Sequence, residues 1–257
     1  MAITPERGFA TAAVPRAELK AIAAANDTTV NDVVLALCSG ALRRYLKRNA
    51  SIPRKSLIAS MPISLREQGN TEMRTQATLS LVSLATNVAD PLKRLRAISD
   101  SSGATKAVAR RARSGDPDRH SADRRALAAR CAGFALRSQP RGQHLPVLAN
   151  VLVSNVPGPP VPLYVDGLRM SGYWPLSIVE HGIGLNITLM SYAGKLFLGF
   201  TVARCAVPDA RELADDFLAA HEELKQRMET AARRAAVAKP SASRSRVRQP
   251  RTTATAK

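Results

Sequence analysis

The sequence predicts a mixed fold of the α/β or α+β class, in which helices flank a sheet. Segments with the 3.6-residue period of an amphipathic helix are interleaved with short apolar segments of strand length. Of the 257 residues, 45% are hydrophobic, which is sufficient for a core at this length. No apolar run approaches the roughly 18 residues needed to cross a bilayer. A globular domain without a spanning helix is therefore expected.

The first strongly periodic segment is a helix predicted over residues 30–48, where apolar side chains recur every three or four positions. Thr29 and Asp32 form a capping-box pattern at its start, because each side chain can accept a hydrogen bond from a free amide of the first turn. The capping pair marks the start of the helix, and the apolar periodicity indicates the side that faces the core.

Strands and helices alternate through the middle of the chain. Residues 57–65 and 79–88 are apolar segments bounded by turn residues, and each is of strand length. Asp90 followed by Pro91 is typical of an N-cap and first helical residue, so a helix is expected to start there. A further helix is predicted at 123–137.

The last third favours a sheet. A strand at 151–153 enters a Pro-rich segment that must end its hydrogen-bond ladder. Residues 184–192 and 195–203 are predicted strands joined by an Ala-Gly turn, which is typical of a hairpin. An amphipathic helix at 209–228 closes the fold.

The net charge is concentrated in two segments. The chain carries 38 basic and 20 acidic residues, a formal charge of +18. Residues 93–141 hold 13 basic and 4 acidic residues and contain a predicted solvated basic loop at about 106–125. Residues 226–257 hold 9 basic and 1 acidic residue, and 229–257 is predicted to be a disordered tail. One domain is therefore expected over 1–228.

Several classes of chemistry lack their sequence patterns. No G-x-S-x-G elbow, paired metal-ligand motif, Walker loop or G-x-G-x-x-G is present, so hydrolase, metal and nucleotide sites are not expected. The N-terminus has no apolar h-region, and three scattered cysteines form no disulfide framework. The expected location is the cytoplasm.

Polar residues in apolar surroundings are the remaining candidates, and each has a structural explanation. Asn31 and Asp32 open the first helix, where capping and the helix dipole account for them. Asn155 can brace the turn after its strand. Asn186 lies within a strand, where an unbonded buried amide costs about 1–3 kcal/mol. His181 is isolated, and such a histidine is more often structural than catalytic.

Six segments, taken in order, resemble the C-terminal half of the bacterial wax ester synthase/acyl-CoA:diacylglycerol acyltransferase family. They read NDVVLALCSGALRRYL, MPISLR, LATNVADPLKRL, VLVSNVPGPPVPLY, PLSIVEHGIGLNITLMSYAGKLFLGF and a VPD before the closing helix. The resemblance covers about residues 7–224. Because it rests on several separated motifs in the same order, it is specific.

The resemblance implies one of two chloramphenicol-acetyltransferase-like halves, a mixed sheet flanked by helices, with the active-site channel between the halves. It implies transfer of a fatty acyl group from acyl-CoA to diacylglycerol or a long-chain alcohol, with acyl-CoA as substrate and no cofactor. The family's general base is the second His of H-H-x-x-x-D-G in the N-terminal half. This sequence contains no His-His pair.

This departure matters because a positioned base accelerates such a reaction about 10²–10⁴-fold. No catalytic residue is assigned to this chain, and it is expected to be inactive alone. A truncated gene, or one subunit of a split enzyme that works with an N-terminal acyltransferase half, would explain the pattern. The resemblance places Asn31 and Asp32 beside the active site, where they shape it. The channel or interdomain residues that it implies are Ser154, Asn155, Pro157, Gly158, His181, Gly182 and Asn186.

The leading hypothesis, an acyltransferase C-terminal domain, predicts an exposed apolar face where the missing half docks. A non-enzymatic protein that binds a partner or a lipid surface is the alternative, with the basic loop and tail on the anionic inner membrane or a lipid inclusion. Nucleic-acid binding is the weakest hypothesis, because aromatic residues make up only 4% of the chain. A residual enzyme with His181 as its base is a fourth.

Overall fold

The structure is a computed structural model that describes residues 4–64, 77–113, 149–180 and 182–238. The strands in these ranges are β1 (Arg7–Pro15), β2 (Ile58–Ser64), β3 (Ala77–Ser83), β4 (Val151–Val156), β5 (Tyr164–Val165), β6 (Leu168–Arg169), β7 (Leu185–Tyr192) and β8 (Lys195–Ala203). The helices are α1 (Arg16–Ala25), α2 (Val30–Asn49), α3 (Pro91–Arg113) and α4 (Ala210–Ala238).

Six strands form one mixed sheet in the order β1-β8-β7-β4-β2-β3, and β5 and β6 form a separate two-stranded ribbon. The central pairs β7–β4 and β4–β2 are parallel, whereas β1–β8, β8–β7 and β2–β3 are antiparallel. Helices pack against the sheet, so the predicted mixed α/β class is confirmed.

The core lies between one face of the sheet and the helices. Strand β1 alternates exposed and buried residues, and its buried Ala10, Ala12 and Val14 belong to the main core cluster. Phe200 of β8 makes an edge contact with Phe217 of α4, with ring centroids 6.0 Å apart. Because side chains alternate along a strand, the neighbouring residues of β8 point to the opposite face of the sheet. That second face positions much of the candidate site.

The elements with the strongest sequence patterns form where they are predicted. Helix α2 starts at Val30 with the full capping box, and strands β7 and β8 are joined at Ala193 and Gly194. Both turn residues have positive φ, 44° and 83°, as a tight two-residue hairpin requires. Asp90 Oδ1 accepts a hydrogen bond from Lys93 N at 2.9 Å, which confirms it as the cap of α3.

Two helices continue into segments that were predicted to lie outside them. Helix α3 continues through Arg113, into the segment at 106–125 that was predicted as a loop, and α4 continues to Ala238, into the predicted disordered tail at 229–257. Both extensions are rich in Ala and Arg, which are strong helix formers, so an established helix propagates into them. The rest of the loop and tail, and the helix predicted at 123–137, lie outside the described residues.

Helices α3 and α4 are the longest that the structure describes, at 23 and 29 residues. Charged residues interrupt both of them. Over the described ranges, no helix combines the length and the apolar character needed to cross a membrane.

Candidate functional site

The N-terminus of α2 is closed by the side chain of Asp32. Thr29 Oγ1 accepts a hydrogen bond from Asp32 N at 3.2 Å, and Asp32 Oδ2 accepts from Thr29 N at 3.0 Å and from Thr29 Oγ1 at 2.7 Å. These reciprocal bonds satisfy amides that a helix otherwise leaves free in its first turn. The predicted capping role of Asp32 is thereby confirmed.

The same carboxylate also holds α3. Ser102 Oγ donates a short hydrogen bond to Asp32 Oδ1, Ser99 Oγ lies 3.5 Å from Oδ2, and Lys106 Nζ lies 3.7 Å from Oδ1. Burial acts to raise the pKa of Asp32, which is 2% exposed. The bonds from Ser102 and Thr29 and the charge of Lys106 outweigh burial and hold that pKa below its ordinary value.

A polar cavity of about 390 Å³ opens beside this cluster. We call it the Asp32 pocket; its polar lining comes from Asp27, Thr28, Thr29, Asp32, Ser99, Ser102 and Lys106. Its lowered pKa makes this carboxylate a weak proton acceptor, and its oxygens already accept hydrogen bonds from Thr29 and Ser102. These contacts fix α2 against α3.

Asn31 faces a different environment from its neighbour. It is half-buried, and its Nδ2 lies 4.0 Å from Met61 Sδ of β2. A contact from an amide to a thioether sulfur is weak, so most of the hydrogen-bonding capacity of Asn31 is unused by this contact. Asn31 therefore differs from Asp32, whose oxygens accept hydrogen bonds from Thr29 and Ser102.

The second region is the segment between β4 and β7, residues 157–184, which we call the β4–β7 connection. It starts at Pro157, directly after the end of β4. In the last residues of that strand, Ser154 is half-buried and Asn155 is exposed. Gly158 N donates to Ser191 Oγ at 3.1 Å. A Cβ on Gly158 would lie 2.1 Å from Ser191 O, so only glycine allows the chain to pass this close to β7.

Asn186 ties the end of the connection to the sheet. Its Nδ2 donates to Ser177 Oγ at 2.8 Å and to the Ile178 carbonyl at 2.7 Å, and its Oδ1 accepts from Thr188 Oγ1 at 3.0 Å. The side chain is 3% exposed. The prediction that this amide must be hydrogen-bonded is confirmed, and its Nδ2 donates to two residues of the connection.

The middle of the connection lies directly on β8, on the sheet face opposite the helices. A Cβ at Gly199 would lie 1.9 Å from the Pro175 carbonyl oxygen. Trp174 packs edge-on against Phe197, with ring centroids 4.7 Å apart. Glycine at position 199 thus permits an approach that a side chain would prevent.

The ribbon of β5 and β6 projects from the connection. Asp166 and Gly167 have φ of 49° and 77°, and they form the tight turn between the two strands. Tyr192 Oη closes the base of the ribbon, because it accepts from Leu163 N at 2.8 Å and donates to the Met170 carbonyl at 3.1 Å. The Asp-Gly pair could have revealed this hairpin in the sequence.

Large apolar side chains cover the outer surface of this region. Among the described residues, nine of the eleven exposed large hydrophobic side chains lie between Val156 and Ile178, and the other two are Phe9 and Leu218. We call this surface the apolar face. It consists of Val156, Val161, Tyr164, Val165, Leu168, Tyr173, Trp174, Leu176 and Ile178.

Of the four histidines in the chain, only His221 lies among the described residues. Gly182, with φ of 87°, forms the turn before β7, but its neighbour His181 lies outside the described residues. His221 of α4 is buried, with Nε2 3.3 Å from Glu18 Oε2 of α1. Burial lowers the pKa of His221, with Glu18 acting in the opposite direction. Across the described ranges, no group of His, Cys, Asp and Glu is arranged to hold a metal.

The fold and these two regions define the class of protein. A wax ester synthase/diacylglycerol acyltransferase from Marinobacter aquaeolei VT8 superposes with a TM-score of 0.71 at 30% identity, over 89% of this chain and 51% of that chain. The nonribosomal peptide synthetase FmoA3 shares the fold alone, with a TM-score of 0.57 at 14% identity over 90% of this chain. The structure is one half of a chloramphenicol-acetyltransferase-like acyltransferase fold.

The family model of the WS/DGAT C-terminal domain matches residues 75–225. A Mycobacterium tuberculosis H37Rv protein provisionally named diacylglycerol O-acyltransferase is 42% identical over 82% of this chain and 42% of its own length. O-acyltransferase WSD of Acinetobacter baylyi is 38% identical over 82% of this chain and 44% of its own length. This chain belongs to the wax ester synthase/diacylglycerol acyltransferase family, and it spans about half the length of the curated relatives it matches.

Proposed function

We propose that this chain forms the C-terminal side of an acyltransferase cleft. The reaction is transfer of a fatty acyl group from acyl-CoA to a long-chain alcohol or diacylglycerol. The general base comes from an N-terminal half that carries H-H-x-x-x-D-G. One observation supports this most directly: the chain belongs to the family over about half the length of its relatives, yet it contains no His-His pair.

The chemistry explains why the second half is needed. The acceptor hydroxyl attacks the thioester carbonyl, its proton passes to the base, the new C–O bond forms and the C–S bond breaks. The base then returns the proton to the leaving CoA sulfur. The hydroxyl is a weak nucleophile until the base is in place. Within the described ranges, the Asp32 carboxylate is engaged by Ser102 and Thr29, and His221 is 3% exposed, so neither is placed to reach the acceptor hydroxyl.

The described residues support a positioning role instead. Asp32 fixes the start of α2 and so sets the position of Asn31, whose amide remains available for a polar group of the substrate. Asn186 and Gly158 hold the β4–β7 connection on the sheet. The cleft wall is therefore assembled before any partner binds.

Reconstitution tests the proposal. The full chain is supplied with palmitoyl-CoA and either hexadecanol or a diacylglycerol, alone and after co-expression with the N-terminal half of the Acinetobacter baylyi relative. Ester is expected only from the pair. Replacing the second His of the partner's motif by Ala should abolish it, and the N-terminal half alone is the control.

Ester formed by this chain alone, and lost in His181→Ala, would show that the base lies in this chain. Absence of ester from the pair, with both polypeptides folded and associated, would also contradict the proposed function. A positive result with hexadecanol but not diacylglycerol, or the reverse, defines the acceptor class.

A further inference from the structure

We propose that Ser60 of β2 is a substrate-binding residue whose hydroxyl donates a hydrogen bond to the carbonyl oxygen of a fatty acyl group. The inference rests on the proposed function and names the substrate atom that this side of the cleft binds. It starts from a buried hydroxyl that the fold leaves unpaired. Ser60 is 1% exposed, and its Oγ has no hydrogen-bond partner within the described part of the chain.

An unpaired hydroxyl at this depth requires an explanation. Burying a hydroxyl without a partner is unfavourable, and most buried polar side chains in proteins are hydrogen-bonded. Ser39 shows the usual arrangement, because it is equally buried and its Oγ donates to the Leu84 carbonyl at 2.5 Å. The chain offers Ser60 no such acceptor, so a ligand that carries one would complete the site.

The side chain of Ser60 lies on the same sheet face as the β4–β7 connection. Its neighbours Ala59 and Met61 belong to the main core cluster beneath the helices. Because side chains alternate along a strand, Ser60 projects from the opposite face. That face carries the connection, which we have placed in the cleft wall, so the unpaired hydroxyl lies on the cleft side of the sheet.

The surroundings of Ser60 on this face are apolar. Leu81 of β3 and Leu152 of β4 are its partners in register, one on each side, and both are half-buried. The contacts that hold the connection are made with β7 and β8, through Asn186 and Phe197. Ser60 therefore places one hydroxyl between two leucines. This arrangement suits a hydrocarbon chain that carries a single polar atom.

Hydrogen-bonding capacity selects a carbonyl oxygen as that atom. A serine hydroxyl has one O–H to donate, and a carbonyl oxygen only accepts. The two pair without leaving a second donor buried, whereas an alcohol hydroxyl would bring a donor that needs its own acceptor. The thioester of acyl-CoA and the esters of diacylglycerol both present this oxygen, and the experiment distinguishes them.

The test compares probes that differ only in the carbonyl group. Palmitoyl-CoA is paired with S-hexadecyl-CoA, its thioether analogue, and dioctanoylglycerol is paired with the corresponding dioctyl ether. Binding of labelled probes is measured by ultrafiltration. The protein is the full chain, alone and co-expressed with the N-terminal half of the Acinetobacter baylyi relative.

Ser60→Ala should weaken binding of a carbonyl probe about three- to tenfold, the range for one neutral hydrogen bond. Binding of the thioether and ether analogues should stay at the wild-type level. The melting temperature should be unchanged or higher, because the variant removes an unpaired hydroxyl. Thr201→Val is the matched control: its Oγ1 is also buried and unpaired within the described part, but Thr201 pairs in register with Asn186, which the connection covers. It should bind every probe as the wild type does.

The pattern of weakening assigns the source of the carbonyl. A loss confined to palmitoyl-CoA supports the inference with the thioester as ligand, and a loss confined to dioctanoylglycerol supports it with the acceptor's ester as ligand. Equal losses for the probes with and without a carbonyl overturn the inference. So do unchanged binding in Ser60→Ala, no binding of any probe by the chain or the pair, and a lowered melting temperature of this variant.

Ester synthesis in the same samples separates this inference from the proposed function. If Ser60→Ala weakens binding of a carbonyl probe but the wild-type pair makes no ester, the binding role stands and the proposed function fails. If the pair makes ester and Ser60→Ala leaves kcat/KM unchanged for both substrates, the function stands and the role of Ser60 fails.

Discussion

The Asp32 pocket and the β4–β7 connection are both held together by a buried polar side chain, but the two arrangements have different consequences. In each, one buried polar side chain ties a distant segment to the fold: Asp32 ties α3 to α2, and Asn186 ties the connection to the sheet. Around Asp32 the polar contacts converge inward and neutralise a charge. Around Asn186 they leave an apolar outer surface without cover among the described residues. The first arrangement fixes a helix, and the second holds an apolar surface on the sheet.

The largest effect is expected from Gly199→Val. Its Cβ would lie 1.9 Å from the Pro175 oxygen, so the connection must lift from the sheet. We expect the unfolding free energy measured in urea titrations to fall by about 3 kcal/mol, which is at the upper end of the usual cost of overpacking a protein interior. Gly103→Ala is the control: apart from its chain neighbours and its own helix backbone, no atom lies within 4 Å of the added Cβ, and α3 should gain about 0.5–1 kcal/mol. Equal effects at the two positions would show that the close approach is unimportant.

Asp32→Asn should cost about 2–3 kcal/mol near neutral pH, because the new NH₂ group faces the donors of Thr29 and Ser102. The control is Asp100→Asn at an exposed position on α3, which should change stability by less than about 0.5 kcal/mol.

The folded-state pKa of Asp32 lies below its unfolded value. Its stabilisation is therefore present above the unfolded pKa, near about 4, and is lost as pH falls through the folded pKa. In urea titrations, the unfolding free energies of the wild type and Asp32→Asn should differ at neutral pH and become equal in acid. The same difference at both pH values would contradict the assigned role of the carboxylate.

Asn186→Ala should cost about 2 kcal/mol, because it leaves Ser177, Ile178 and Thr188 without their bonding partner. Hydrogen exchange should accelerate in the connection while the amides of α2 stay protected. Thr201→Val is the matched control on the adjacent strand. The buried Thr201 Oγ1 has no hydrogen-bond partner within the described part, so its loss should change stability by less than about 0.5 kcal/mol. If amide exchange in the connection is the same in Asn186→Ala as in the wild type, Asn186 does not hold the connection on the sheet.

The smallest effect on folding is expected from the apolar face. Leu176→Asp and Ile178→Asp replace exposed side chains and should change unfolding free energy by less than about 0.5 kcal/mol each. Thermal melts of the isolated full chain provide the measurement. A loss of several kcal/mol would mean that these side chains are buried within the chain and that the connection has no free outer face.

Local patterns predicted several elements well. The capping pair Thr29 and Asp32 marked the start of α2, and an Ala-Gly turn marked the β7–β8 hairpin. Strand β1 was missed, although it alternates strictly between exposed and buried residues. Its buried positions are largely Ala and Gly, which have weak strand propensity, and its pairing with β8 spans almost the whole described chain.

The hydrogen-bond partners of the predicted site residues were not visible in the sequence. Asp32 meets Ser102, seventy positions away, and nothing local to either residue indicates that contact. Gly158 and Gly199 carry no side chain, so their importance appears only when the backbone oxygens facing them are known. That the chain corresponds to one half of a larger fold was inferred from the family resemblance, because neither periodicity nor composition indicates it.

Hydrogen–deuterium exchange of the full chain, with and without the co-expressed N-terminal half, tests the central claim most directly. The account predicts new protection over residues 161–178, with little change along α4. Protection confined to α4, or none anywhere in a pair that makes ester, would contradict the claim that the connection forms part of the cleft wall.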